Sequence, residues 1–216
     1  GTDSATVTNA GAPSENFDGE NLTVTMGAAA YDDKNVGNGK TVTFSGFTLS
    51  GEAAENYLLV SQPESVTADI TVKEITIVGT QVEQSKVYDG TVSATVTNVG
   101  IPSENFDGDS LIVTEGSAVY GDKNVGIGKT VTFSGFTLSG IAAENYLLVS
   151  QPESVTADIT RKELTIANLK IKDKQYDGTN YAEIDGTPTL EGVVDGDVLE
   201  LVNGTPSFED IAIAKK

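Results

Sequence analysis

Lys86-Val87-Tyr88-Asp89-Gly90-Thr91 recurs as Lys174-Gln175-Tyr176-Asp177-Gly178-Thr179, and the rest of the chain falls into register around this pair. Residues 1–77 align with residues 90–166 without a gap and agree at 63 of 77 positions. Gly1 aligns with Gly90, so the sequence opens just inside one copy of the repeat. A period of about 88 residues is the signature of an array of domains, each large enough to bury its own core. Asp-Gly is a turn signal, because Asp accepts local backbone hydrogen bonds and Gly supplies a positive φ, while Tyr can pack its ring and bond through its hydroxyl. Tyr88, Asp89 and Gly90, with Tyr176, Asp177 and Gly178, therefore read as structural turns. An exposed Tyr beside a carboxylate, used for recognition, is the other reading.

Outward from this turn the pattern is that of strands. Ala5 and Val7 alternate with Thr6 and Thr8, and Leu22, Val24 and Met26 alternate with Thr23 and Thr25. Val42 and Phe44 alternate with Thr41, Thr43 and Ser45, and Phe47 and Leu49 follow after Gly46. Alternation with period two marks half-buried strands, and Gly46 marks a bend or bulge. Residues 53–55 fit one helical turn, and Tyr57 to Val60 is apolar on both faces. Val66, Ala68 and Ile70 occupy even positions, whereas Ile75 and Ile77 occupy odd ones. A slip of one residue would turn a continuous strand's apolar face to water, so one strand ends and another begins at residues 72–74. The same slip recurs at residues 161–163. The expected domains are residues 1–72, lacking lead-in strands, 73–160, complete, and 161–216, stopping before the last strands. The joints carry no Gly/Ser or Pro tract, which predicts limited freedom between neighbours.

Composition narrows the function. Gly, Thr and Val are abundant, which favours β structure. Cys, His and Trp are absent, which removes thiol nucleophiles, His- or Cys-ligated zinc and haem, and Ser-His catalysis. The net charge of −19 is spread along the chain; it favours solubility and repels nucleic acid and anionic membranes. No apolar run is long enough to span a bilayer.

Four segments carry a resemblance: Lys-x-Tyr-Asp-Gly-Thr at 86 and 174, Asp-Lys-Asn-Val-Gly at 33 and 122, Ser-Gly-Phe-Thr-Leu-Ser-Gly at 45 and 134, and Glu-Asn-Tyr at 55 and 144. With them the chain resembles the YDG and MBG families of bacterial immunoglobulin-like repeats, found in tandem in large secreted adhesins and surface proteins. The third copy departs most and ends without the last two segments. The resemblance implies an all-β fold of tandem immunoglobulin-like β-sandwich domains arranged end to end, with incomplete terminal copies. It implies no catalytic or ligand-binding residues.

The expected role is a non-enzymatic stalk or spacer of a cell-surface adhesin, extracellular and bacterial, whose partners are the adjacent repeats. The alternative is direct binding of a glycan, host protein or neighbouring chain, with self-association into a filament by strand donation. No cofactor is required. Calcium is the one candidate ion, with Asp107 and Asp109, Asp195 and Asp197, and Asp32 and Asp33 as candidate ligands on acidic loops; a lone Asp-x-Asp supplies only two of the six to eight oxygens calcium takes. Lys34, Lys123 and Lys129 present a further pair of readings, as isopeptide partners of Asn56 or Asn145 or as ordinary salt-bridge lysines.

Overall fold

A computed structural model describes residues 2–16, 21–106 and 108–209. Their secondary structure is short β-strands and two single 3₁₀ turns. The chain packs as two compact units. The first comprises residues 1–80, 98–116 and 134–153, and the second residues 81–97, 117–133 and 154–216. Sequence repeats and packing units thus divide the chain differently, since each unit takes residues from successive copies.

In the first unit Ser4–Ala5, Ala28–Tyr31, Gly37–Ser45 and Val66–Ile70 form, in that order, a four-stranded antiparallel sheet. Val42 is buried on its inner face, and Phe44 meets Phe47 edge to face at 5.8 Å. Gly46, at φ 70°, makes the expected bend between Gly37–Ser45 and Thr48–Ser50. The bulge lies elsewhere, between Gly37 and Lys40, where Gly39 has φ 61° and donates its N–H to Asp69 at 2.7 Å.

The change of parity after Ile70 marks a change of partner. Val66–Ile70 stays in the four-stranded sheet, whereas Lys73–Ile75 pairs in parallel with Tyr146–Leu148, and Ile77–Val78 pairs antiparallel with Ile101–Pro102. Ile75 is buried against Ala142 and Tyr146, with Leu111 and Leu138 packed around them. The expected helical turn is present as 3₁₀ turns at Ala54–Asn56 and Ala143–Asn145.

In the second unit Ser85–Val87, Val155–Thr160, Gly126–Ser134, Ser117–Tyr120 and Ser93–Ala94 form a five-stranded sheet. Ser85–Val87 joins its edge in parallel with Val155–Thr160. Val131 and Ile159 are fully buried, with Tyr120, Phe133 and Ala157 beside them in sequence-alternating positions. The third copy contributes the pairs Thr165–Ala167 with Thr189–Glu191 and Lys170–Ile171 with Ile184–Asp185.

Candidate functional site

The Lys-x-Tyr-Asp-Gly-Thr segment folds as a turn held from within by its own lysine. Lys86 Nζ donates to Asp89 Oδ1 at 2.8 Å, to the Thr91 carbonyl at 2.9 Å and to Thr91 Oγ1 at 3.0 Å. Asp89 Oδ1 also accepts the Thr91 backbone N–H at 2.8 Å, and Gly90 supplies φ 79°. The same ammonium lies 5.5 Å from the centre of the Tyr120 ring. Lys174, Asp177, Gly178 and Thr179 repeat the arrangement, with Lys174 over Phe208. Hydrogen bonds from the lysine and from the threonine N–H pull the Asp89 and Asp177 carboxyls down to about 2.

A depressed carboxylate stabilises the fold fully above its unfolded value of about 3.9, and that contribution disappears as pH falls through its folded value. The turns are therefore expected to be lost between about pH 4 and 2. Asp89→Asn should flatten the acid limb of melting temperature against pH, followed by circular dichroism, while lowering stability at neutral pH. An acid limb identical in wild type and variant would contradict this assignment.

Within each unit the structure also brings together side chains from successive copies. In the first unit, Lys34 Nζ from the first copy donates to Asp109 Oδ1 from the second at 2.6 Å. The Asp109 side chain is 5 % exposed, and its other oxygen accepts the Tyr146 hydroxyl at 2.9 Å. Lys34 foremost, then Tyr146, hold the Asp109 carboxyl below the usual carboxylate range. Burial raises the Tyr146 phenol, keeping it a donor at neutral pH, and its oxygen accepts the Phe106 N–H at 3.2 Å. Asn145 completes the contact: its Oδ1 accepts the Val36 N–H at 2.9 Å and its Nδ2 donates to Asn35 Oδ1 at 3.1 Å. The Asp-Lys-Asn-Val-Gly loop of one copy is thereby held by the Glu-Asn-Tyr segment and acidic turn of the next.

The second unit carries the corresponding link between the second and third copies. Lys123 Nζ lies 3.8 Å from Asp197, which also accepts the Tyr88 hydroxyl at 3.1 Å. Val194 packs so close to Gly90 that a Cβ there would sit 2.9 Å from its Cγ1. Tyr88 and Gly90 are thus more than an internal turn, because they receive the acidic loop of the following copy. Tyr176, by contrast, is largely exposed.

Several of the acidic side chains pair with lysine. Asp109 and Asp197 close turns by donating their N–H groups to the Phe106 and Val194 carbonyls, respectively. Asp33 and Asp32 share Lys40 Nζ at 2.7 and 3.3 Å, and Asp122 takes Lys129 at 2.7 Å. Asp195 is exposed at the tip of its turn, and Asp107 lies outside the described residues. Among the described residues no three acidic side chains stand close enough to hold a metal ion. Lys34, Lys123 and Lys129 each face a carboxylate, and the Asn145 amide is committed to the Asn35-Val36 loop.

No helix among the described residues is long and apolar enough to cross a membrane. Neither curated proteins nor solved structures yield a match. The YDG domain family, however, matches residues 1–66, 71–155 and 160–216 in three successive stretches. The chain belongs to the YDG domain family, as a tandem all-β array of its sandwich-like repeats.

Proposed function

We propose that this chain is a spacer segment of a bacterial cell-surface adhesin, working outside the cell and carrying load or distance rather than catalysing a reaction. The observation that supports this reading best is the lysine-to-aspartate link, which joins the first copy to the second and recurs between the second and third. The segments most characteristic of the repeat are spent on docking one copy to the next, and that is the chemistry a serial array needs. The net charge of −19 keeps such an array soluble and discourages lateral collapse. In this reading the links need neither cofactor nor calcium.

Scanning calorimetry tests the reading. Wild type should melt with neighbouring copies coupled, and EDTA should leave the transition where it is. The double variant Lys34→Ala/Lys123→Ala should broaden or split the transition. An unchanged transition in the variant would refute serial coupling, and a loss of stability in EDTA would place calcium in the joints.

A further inference from the structure

Two ladders of the second copy are parallel, and each joins an early segment of that copy to a late one. Lys73–Ile75 pairs with Tyr146–Leu148 in the first unit, and Ser85–Val87 pairs with Val155–Thr160 in the second. In the latter pair Ser85 stands opposite Asp158 and Val87 opposite Thr160. The chain therefore enters this pair at one end and leaves it at the other. Tension along the chain pulls the two strands past each other, so the bonds between them are loaded together. In an antiparallel hairpin, entry and exit share an end and the bonds open one after another.

We propose that the pair of Ser85–Val87 with Val155–Thr160 is a shear-loaded clamp that sets the force at which the second copy opens, and that the Lys-x-Tyr-Asp-Gly-Thr turn is its anchor. Main-chain bonds continue past the pair at both ends: the Asp158 N–H donates to the Gln84 carbonyl and the Tyr88 N–H to the Thr160 carbonyl, each at 2.9 Å. Thr160 Oγ1 adds a bond to the Lys86 carbonyl at 3.2 Å. Val155–Thr160 is held on its far side as well, because Gly126–Ser134 pairs with it there, and its Ile159 is fully buried.

The turn lies between two fixed points of one sheet. On its near side is the clamp strand Ser85–Val87, at one edge; on its far side Ser93–Ala94 pairs with Ser117–Tyr120 at the other edge, and the Val92 carbonyl accepts the Tyr120 N–H at 2.7 Å. For Ser85–Val87 to slip, the chain between these points must be drawn out. That chain is gathered by Lys86 itself, through Asp89 and both oxygens of Thr91. Slip of the clamp therefore requires the lysine cage to open in the same event, with the ammonium leaving the Tyr120 ring. The use of such a clamp rests on the load-carrying reading above, whereas its resistance to force is a property of the strand pair alone.

Single-molecule force spectroscopy on the whole chain tests the clamp, with handles on introduced cysteines, since the sequence has none of its own. Handles at Glu83→Cys and Arg161→Cys load the ladder in shear, and handles at Val87→Cys and Arg161→Cys open it from one end; all three positions are exposed. At one loading rate the shear force should be about twofold higher or more, because the bonds yield together. This comparison needs no destabilised variant. Asp89→Ala, added to the shear pair and shown folded by circular dichroism, should bring the force down toward the unzipping value. Asp122→Ala is its matched control, in the same unit but off the ladder: Asp122 accepts Lys129 Nζ and the Asn124 N–H, each at 2.7 Å, and is 56 % exposed against 52 % for Asp89. The control should leave the shear force unchanged. Equal forces in the two geometries would overturn the clamp, and equal losses in the two variants would overturn the anchoring role of the turn. A directional force together with a failed calorimetric test would keep the clamp and refute serial coupling, so the two readings fail separately.

Discussion

Phe136→Ala is expected to destabilise the protein by about 3–5 kcal/mol, the range for removing a fully buried aromatic ring. Phe136 is 1 % exposed and follows the bend at Gly135, whose φ is 73°. Its backbone is fixed at both polar groups by one side chain: Gln151 Oε1 accepts its N–H at 2.7 Å, and Gln151 Nε2 donates to its carbonyl at 3.1 Å. That clamp holds the backbone in place when the ring is deleted, so a cavity remains instead of a collapsed loop. Phe47 has the same clamp from Gln62 and is also buried, at 3 % exposed, but it borders a cavity lined by Leu22, Leu49 and Leu59. Its surroundings can relax and water can enter, so Phe47→Ala should cost less than Phe136→Ala. Urea titration followed by circular dichroism measures both, and the larger loss should lower the melting temperature by roughly 10 °C in a chain of this size. Equal costs at the two positions would contradict the difference in packing.

The local features of the fold were legible in the sequence because they have local causes. Val42 and Phe44 alternate with threonines and lie in one strand; Gly46 bends the chain; the parity change between Ile70 and Ile75 coincides with a change of strand partner. The Tyr-Asp-Gly turn is internal in the way that Asp and Gly chemistry demands. The strand Ala28–Tyr31 gave no signal, since three alanines carry no alternation of polarity. Nor did Gly27 and Gly116 announce their role: a Cβ on either would strike the carbonyl oxygen of Ser45 or Ser134, where two chain segments cross closely.

The links between copies were hidden for a different reason. Lys34 and Asp109 are separated by 75 residues, and each reads alone as an ordinary solvated charge. An Asp-x-Asp on a glycine turn resembles a fragment of a cation site, and only the three-dimensional placement of Lys34 and Lys123 reveals that one carboxylate of each such turn, Asp109 or Asp197, faces a lysine of the preceding copy.

Asp109→Ala is expected to cost about 2 kcal/mol. Breaking a fully buried ion pair costs about 3–5 kcal/mol, and the figure is reduced because the Lys34 side chain is 41 % exposed and can regain water. The substitution also removes the nearer of the two acceptors of the Tyr146 hydroxyl, at 2.9 Å, and leaves it Asn105 Oδ1 at 3.4 Å. Asp197→Ala, at the equivalent position of the next link, should cost less than about 1 kcal/mol: its lysine stands off at 3.8 Å, and the two side chains are 50 % and 27 % exposed. Acid separates the two further. The Asp109 carboxyl is held low by Lys34 and Tyr146, so its contribution is complete above the unfolded carboxylate value and is lost as pH falls through the lower folded one. The difference in stability between wild type and Asp109→Ala should therefore shrink as pH drops below about 4. Chemical denaturation of both variants at neutral and acid pH measures this. If the Asp109→Ala penalty persisted unchanged in acid, packing around Tyr146 rather than charge would hold the first two copies together.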